Sequence, residues 1–449
     1  MSRRLARWIC QFGASVPSAA AIERAKRILL DTIACALAAS ADELAQPIIR
    51  TLPQMGSGDC TIIGSRMRSS LSGASFCNGA LIRLLDFNDT YTGPRQIGHP
   101  SDNIGVALAA GELKDRPGKD LLQAVRLGYE IYGRLLDLAD PKGPWDHVSV
   151  SGLVTAGMAG WLLGQRADQI ANALALAAMH TATLGEVRAG KISSAKSIAN
   201  SAVVHTASLL TLLASEGMTG PELAIEGRHG YAKLILEGAG FASFFEGAEN
   251  DRLMSVGLKQ YPCFALAQGP ISAAVELRAK LPELGAIKRL HVALADTGAA
   301  RMRLGDEYGR RPDSSEAADH SIYFLVAVAL CDGRFGTDQL RAERWRDRDV
   351  VALIDRVDAT IDPALGPKTG LPCRIEAVLV DGSRCTVQRP CTPGFAASPL
   401  SWPDVVAKFT QCAGGVLGEN AQREVVACVA GIEQLPSVRT LLRHLAPDA

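Results

Sequence analysis

The sequence carries no net charge, no paired-cysteine motif and no signature of a metal or phosphate site. Each absence removes a class of function. The 47 Lys and Arg are balanced by 47 Asp and Glu, whereas phosphate-backbone binding needs clustered, uncompensated cations, so a nucleic-acid partner is disfavoured. No HExxH, HxxxH, Walker loop or strand-following GxGxxG is present, and GxSxG is missing too. The eleven cysteines are an odd, scattered set with no CxxC spacing. They exclude a zinc ribbon or thioredoxin-type motif and read as buried, reduced thiols of a cytosolic protein. There is no internal repeat and no low-complexity linker.

What is present is a long chain rich in apolar residues. Its 449 residues are 47% hydrophobic, which excludes the disordered class. A compact chain of this size buries roughly three quarters of its unfolded surface, enough for two or three domains. The basic start Met1-Ser2-Arg3-Arg4-Leu5-Ala6-Arg7 is followed by no sustained apolar core, so no signal peptide is expected. Three charge-free stretches, Val148–Gln165, Gln169–Gly185 and Ser197–Ser215, raise the membrane question. All are diluted with Ser, Thr, Gly, Asn or His, and they read as helices buried in a bundle rather than membrane spans.

Helical periodicity dominates to about residue 250. It predicts helices over Ala19–Ala38, over Lys119–Leu138, from Ala167 onward, and from a Ser193/Ser194 cap to Glu216. From about Leu258 the pattern changes. Alternation in Arg289–Ala295 predicts a strand, and Arg374–Val380, Asp381-Gly382 and Cys385–Gln388 predict a hairpin. Helices are expected at Ala265–Leu281, Ser321–Leu330, Trp402–Gln411 and Ala421–Ala430. The fold class is therefore mainly α with an α+β part: a helical domain over 1–256 and 392–449, and an inserted α+β domain over 257–391.

Chemistry-bearing residues concentrate in five places. Leu85-Asp86-Phe87-Asn88-Asp89-Thr90-Tyr91, followed by Gly98-His99-Pro100-Ser101-Asp102-Asn103, sets carboxylates, a hydroxyl and an imidazole around the Gly93-Pro94 turn. Such groups supply a proton donor and acceptor; the plainer alternative is that Asp86 or Asp89 caps a helix and His99 bonds a carbonyl. Trp145-Asp146-His147 precedes a helix, where Asp146 serves equally as a cap. Arg188, Lys191, Lys196 and His205 run into a largely apolar helix. Lys196 and His205 are nine positions apart, about 900° of rotation, which sets them on opposite sides. Buried, the Lys196 ammonium needs an anion; otherwise it snorkels to the surface. Lys259 lies at the domain junction, within Leu258–Phe264. Ser315–Ser321 holds two acids and a histidine ahead of an apolar helix, where helix-terminal acids are expected in any case.

Taken together, Leu85–Tyr91 with Gly98–Asn103, Arg188–Lys196, Gly217–Pro221 with Glu226-Gly227, Lys259–Pro262 and Ala317–Ser321 resemble the MmgE/PrpD family, in order and over nearly the whole chain. That family contains 2-methylcitrate dehydratase, cis-aconitate decarboxylase and iminodisuccinate epimerase. The resemblance implies a large helical domain from both chain ends, a smaller α+β lid, a cytoplasmic homodimer, no metal and no organic cofactor. It implies dehydration of a small 2-hydroxy polycarboxylate such as 2-methylcitrate, in propionate metabolism. Epimerisation or decarboxylation of a small di- or tricarboxylic acid is the alternative, and non-catalytic binding of anionic metabolites a third.

By motif, Asp86, Thr90, His99, His147, Lys196 and Lys259 match the family's active-site cleft. The resemblance makes Asp86, Thr90, His99, His147 and Lys259 catalytic candidates, and Arg188, Lys196, His205 and Gln268 substrate-binding ones. The 90–99 loop looks more like the dehydratase side. Two positions depart from the pattern: His205 stands where relatives often have Arg or Lys, and Ala195 where dehydratase-like members often have Trp.

Overall fold

Side-chain caps begin several of the helices, one that periodicity predicts and one that it does not. Ser18 accepts the Ala21 N–H at the start of the helix Ala19–Ser40, and Ser70 accepts the Gly73 N–H at the start of Leu71–Leu84. Each satisfies an amide that an α-helix leaves orphaned. The computed structural model describes residues 1–189, 192–236, 241–246, 251–305, 307–366 and 370–447. Lys191, one of the sequence candidates, lies outside them. The protein is mainly α with an α+β part, and it divides into two compact units.

The first unit comprises Met1–Val187, Ala195–Val256 and Ser401–Ala449. In chain order its main elements are α1 (Ser2–Gly13), α2 (Ala19–Ser40), α3 (Leu71–Leu84), β1 (Thr90–Thr92), β2 (Ile97–Gly98), α4 (Ile104–Leu113), α5 (Gly118–Leu138), α6 (Ser151–Leu162), α7 (Ala167–His180) and α8 (Ala195–Ser215). Helices α4 and α6 are buried almost throughout, which explains why neither shows a polar stripe. Glycine lets these helices close in: a Cβ on Gly105 of α4 would stand 2.9 Å from the Gly79 backbone nitrogen of α3. Helix α3 packs against both α4 and α8.

Of the three charge-free stretches, those containing α6 and α7 hold helices of 12 and 14 residues, too short to span a bilayer. Among the described residues only α8 is long and apolar enough for that, and 56% of its most apolar stretch is buried. It ends before Gly217, whose φ of +96° favours glycine.

The second unit comprises Arg188–Ser194 and Gly257–Leu400. The division thus falls at Leu400 on the C-terminal side, where sequence texture suggested 391. Its elements are α9 (Gln268–Lys280), β3 (Ile287–Leu294), α10 (Ile322–Asp332), β4 (Val357–Ile361), β5 (Cys373–Leu379) and β6 (Arg384–Arg389). The strands form one sheet in the order β4-β3-β5-β6. The β5–β6 hairpin has Ile375 opposite Val387, and β3 pairs antiparallel with β5, Val292 opposite Ile375. Strand β4 runs parallel to β3, with Leu290 opposite Val357, as its crossover connection through α10 allows. Apolar residues of the sheet, including Leu290, Val292 and Ile375, share one core with α9 and α10.

The chain then completes the first unit with α11 (Trp402–Ala413) and α12 (Glu419–Ala430). Helix α11 packs against α2, roughly 370 residues earlier in the chain. All eleven cysteines are free thiols.

Candidate active site

At the C-terminal end of α3 the chain turns through Asp86, whose φ is +46°. This left-handed conformation is costly for most side chains, and aspartate tolerates it better than bulky or branched residues. The turn aims the Asp86 carboxylate at two cations. It pairs with Arg83, one helical turn back, and with Lys196 Nζ in the first turn of α8 at 3.0 Å. Lys196 is only 4% exposed. It does not snorkel to the surface, and Asp86 supplies the anion that a buried ammonium needs.

The network continues through Asn88 and Ser101. Arg83 Nη1 donates to Asn88 Oδ1 at 3.3 Å, and the Asn88 amide donates to Ser101 Oγ at 2.8 Å and Asp102 Oδ1 at 2.7 Å. Ser101 Oγ and the Tyr129 hydroxyl each donate to the Asp89 carboxylate at 2.6 Å. Burial pushes the Asp89 pKa up to about 6, against the hydrogen bonds from Ser101 and Tyr129, which pull it down.

Next to Asp89 the chain forms a short hairpin, with Tyr91 opposite Gly98. Counting back one position sets Thr90 across from His99. Any side chain at 98 would displace Tyr132, because a Cβ there would fall 2.4 Å from the Tyr132 hydroxyl oxygen. That hydroxyl accepts the His99 backbone N–H at 3.0 Å. The His99 ring meets the Asp89 carbonyl through Nδ1 at 2.6 Å. A carbonyl only accepts, so Nδ1 carries the proton and the neutral ring has its lone pair on Nε2. The His147 ring lies 5.8 Å away, centroid to centroid, tilted by 61°. Asp146 performs two tasks here. It caps the turn by accepting the Val148 N–H at 3.1 Å, and its Oδ1 stands 3.4 Å from His147 Nδ1. The Thr90 hydroxyl is buried with no hydrogen-bond partner among the described residues, an uncommon state for an interior hydroxyl.

The first unit thus assembles Asp86 with Lys196, and Thr90 with His99 and His147, joined through Asn88, Asp89 and Ser101. His205 stands apart from them. Its Nδ1 donates to the Ser72 carbonyl at 3.1 Å, at the other end of α3, and its ring meets Phe76 edge-on. Nine residues of helix separate it from Lys196, about 13.5 Å along the axis.

In the second unit Lys259 is fully buried. Gln268 shapes the loop that bears it. Its Oε1 accepts the N–H groups of Gln260 and Tyr261 at 2.9 and 3.0 Å, and its Nε2 donates to the Tyr261 carbonyl at 2.8 Å. These contacts direct the Gln268 amide toward its own loop. Phe264 N–H donates to the Asp319 carbonyl at 3.1 Å, the Phe264 ring stacks on His320, and His320 contacts the Asp319 carboxylate. Arg188 is half-buried at the end of the short turn Gly185–Arg188.

Sequence reasoning did not single out Arg83, Asn88, Ser101 or Tyr129. Arg83 is one helical turn before Asp86, a spacing that announces an ion pair. Tyr129 lies 40 residues from Asp89 and has no such local signal.

Residues 3–243 match the MmgE/PrpD N-terminal domain, and residues 261–434 match the MmgE/PrpD C-terminal domain. Among curated proteins, a cis-aconitate decarboxylase of Mus musculus is 25% identical over 454 residues, covering 94% of this chain and 89% of its own. A 2-methylcitrate dehydratase of Cupriavidus necator is 29% identical over 371 residues, covering 78% and 75%. One from Salmonella typhimurium is 27% identical over 396 residues, covering 82% and 80%.

Proposed function

Because the chain belongs to the MmgE/PrpD family, we propose that it is a lyase that removes water from a small 2-hydroxy polycarboxylate of the 2-methylcitrate type. The observation that carries this reading is the fixed His99 tautomer, with its lone pair on Nε2, in the same unit as the buried Arg83–Asp86–Lys196 cluster.

In the proposed reaction, His99 Nε2 takes a proton from the carbon beside a substrate carboxylate. The C–H electron pair becomes the new C=C bond as the neighbouring C–O bond breaks, and His147 gives the departing hydroxide its proton. Negative charge grows on the carboxylate oxygens as the proton leaves. Lys196 stabilises it by exchanging Asp86 for substrate, while Arg83 keeps Asp86 neutralised. Thr90 offers its unpaired hydroxyl to a substrate oxygen. Lys259 is proposed as a further carboxylate-binding cation, and Arg188 as another. Gln268 acts through the Lys259 loop, and no cofactor takes part. The same reading takes the protein as a homodimer, which sedimentation velocity checks as one species of twice the chain mass.

Decarboxylation is the second reading, favoured by the longer alignment with the decarboxylase, 94% of the chain against 78% for the Cupriavidus necator dehydratase. One assay separates the two. Purified protein is incubated in D₂O with a panel of 2-hydroxy and unsaturated tricarboxylates while C=C absorbance, CO₂ release and deuterium incorporation are followed. Dehydration gives a new C=C from the hydroxy acids without CO₂. CO₂ from an unsaturated acid selects decarboxylation, and exchange without water loss selects epimerisation. Lys259→Ala should abolish turnover with the fold intact; a near-normal rate removes Lys259 from the mechanism.

A further inference from the structure

One buried charge pair beside the site takes no part in the proposed reaction. Lys408, on α11, donates from Nζ to Asp31 Oδ1 at 2.7 Å and to the Phe87 carbonyl at 2.9 Å. The same nitrogen sits 3.8 Å from the centroid of the Phe87 ring. Asp31 is completely buried and Lys408 nearly so. Burial alone would lower the lysine's pKa, but Asp31, with Cys35 and Cys412 beside it, holds the pKa above its ordinary value. The ammonium is therefore charged in the interior of the helical unit.

Charge neutralisation explains only the Asp31 contact. Asp31 takes one of the three N–H donors of the ammonium, and the donor aimed at the Phe87 carbonyl reaches the loop that bears the site. The carbonyl it grips belongs to the peptide that joins Phe87 to Asn88. Asp86, with its left-handed backbone, immediately precedes Phe87, and Asn88 and Asp89 immediately follow it. Strained backbone of this kind persists only where its surroundings hold it. Lys408 holds it from two directions, by a charge-assisted hydrogen bond to the carbonyl and by a cation–π contact with the ring.

We infer that Lys408 is a positioning residue. From the C-terminal segment it fixes the Phe87–Asn88 peptide, so that Asp86 stays aimed at Lys196 and Arg83, and Asn88 at Ser101 and Asp102. The inference rests on the reading of residues 86–103 as the site, and its test has a readout independent of turnover.

Three proteins are compared: wild type, Lys408→Met, and Asp31→Leu/Lys408→Met, in which the whole charge pair becomes apolar. In Lys408→Met, kcat should fall about 10²-fold, the cost of a misplacement near 1 Å, with KM nearly unchanged. Amides 88–91 should exchange hydrogen about tenfold faster, as losing one charge-assisted hydrogen bond implies. The double variant should regain the melting temperature but neither kcat nor protection at 88–91. Wild-type kcat and protection in the double variant would reduce Lys408 to a counter-charge for Asp31 and overturn the inference. If Lys408→Met does not fold, the double variant decides alone. A wild type inactive on every acid tested would refute the proposed reaction, while hydrogen exchange would still decide the role of Lys408.

Discussion

Lys196 and Lys408 are both buried against an aspartate, at neighbouring residues of one loop, yet the two pairs are built differently. Lys408 directs its charge at Asp31, a carbonyl and a ring. At Asp86 two cations, Arg83 and Lys196, face one carboxylate, and Asp102 stands 3.9 Å from Arg83 as a more distant counter-charge. A closed pair holds structure. A lysine whose aspartate also pairs with an arginine can exchange that aspartate for a substrate carboxylate and leave it neutralised. The difference teaches that burial and pairing do not by themselves mark a functional lysine; what counts is whether its carboxylate has a second cation to fall back on.

The comparison breaks most readily at Lys196. Lys196→Met should cost about 10²–10³ in kcat, the range for removing one group that stabilises developing charge, with little loss of stability because Arg83 still pairs Asp86. Lys408→Met should add to its kcat loss about 3–5 kcal/mol of unfolding free energy, because the ammonium no longer offsets the buried Asp31 carboxylate. Chemical denaturation measured beside steady-state kinetics checks both. Equal stability losses in the two variants would erase the distinction.

A smaller effect is pH-dependent. The Asp89 carboxyl sits at about 6 in the fold against an ordinary value of 3.8, so the folded protein binds the proton more tightly than the unfolded chain. Its stabilising contribution is complete below pH about 4 and is lost as pH rises through about 6, a swing of about 3 kcal/mol. Relative to Asp89→Asn, the wild type should therefore lose stability between pH 4 and 7. Melting curves across that range check it, and a difference that does not change with pH contradicts it. The smallest effect is expected at His205→Ala. This variant loses a single hydrogen bond to the Ser72 carbonyl, about 1 kcal/mol, and should keep kcat/KM near the wild-type value. A tenfold loss would return His205 to the substrate-binding set.

Local patterns made much of the fold legible before any coordinates. The stripe of Ala19–Ala38, the alternation of Leu290, Val292 and Leu294 and the Asp381-Gly382 turn each report a periodicity or turn chemistry contained in one segment, and each element is present. Strand β4 leaves little trace in the sequence, although Val357, Ala359 and Ile361 alternate, because five residues after a helix are a weak signal. The hairpin at 90–98 shows in the sequence only as a Gly93-Pro94 turn, since its strands are three and two residues long. In the site, Asp86 and His99 stand out as chemistry-bearing residues of one compact motif, and Lys196 as a cation in a largely apolar helix. Their partnerships stand out less: Lys196 reaches Asp86 across 110 residues, and Lys408 reaches Phe87 across 321. Contacts at such separations come from helix packing, which one sequence does not display. Gln268 shows the same limit, because whether an amide faces a ligand or its own loop depends on backbone geometry.

The most direct test of the proposed chemistry is the rate at which wild type and His99→Ala form a C=C bond from 2-hydroxy tricarboxylates, with circular dichroism confirming that both are folded. Wild type should produce the unsaturated acid, and His99→Ala should be slower by about 10²–10⁴, the usual contribution of one positioned acid–base group. Comparable rates in the two folded proteins would show that the His99 imidazole is not the base.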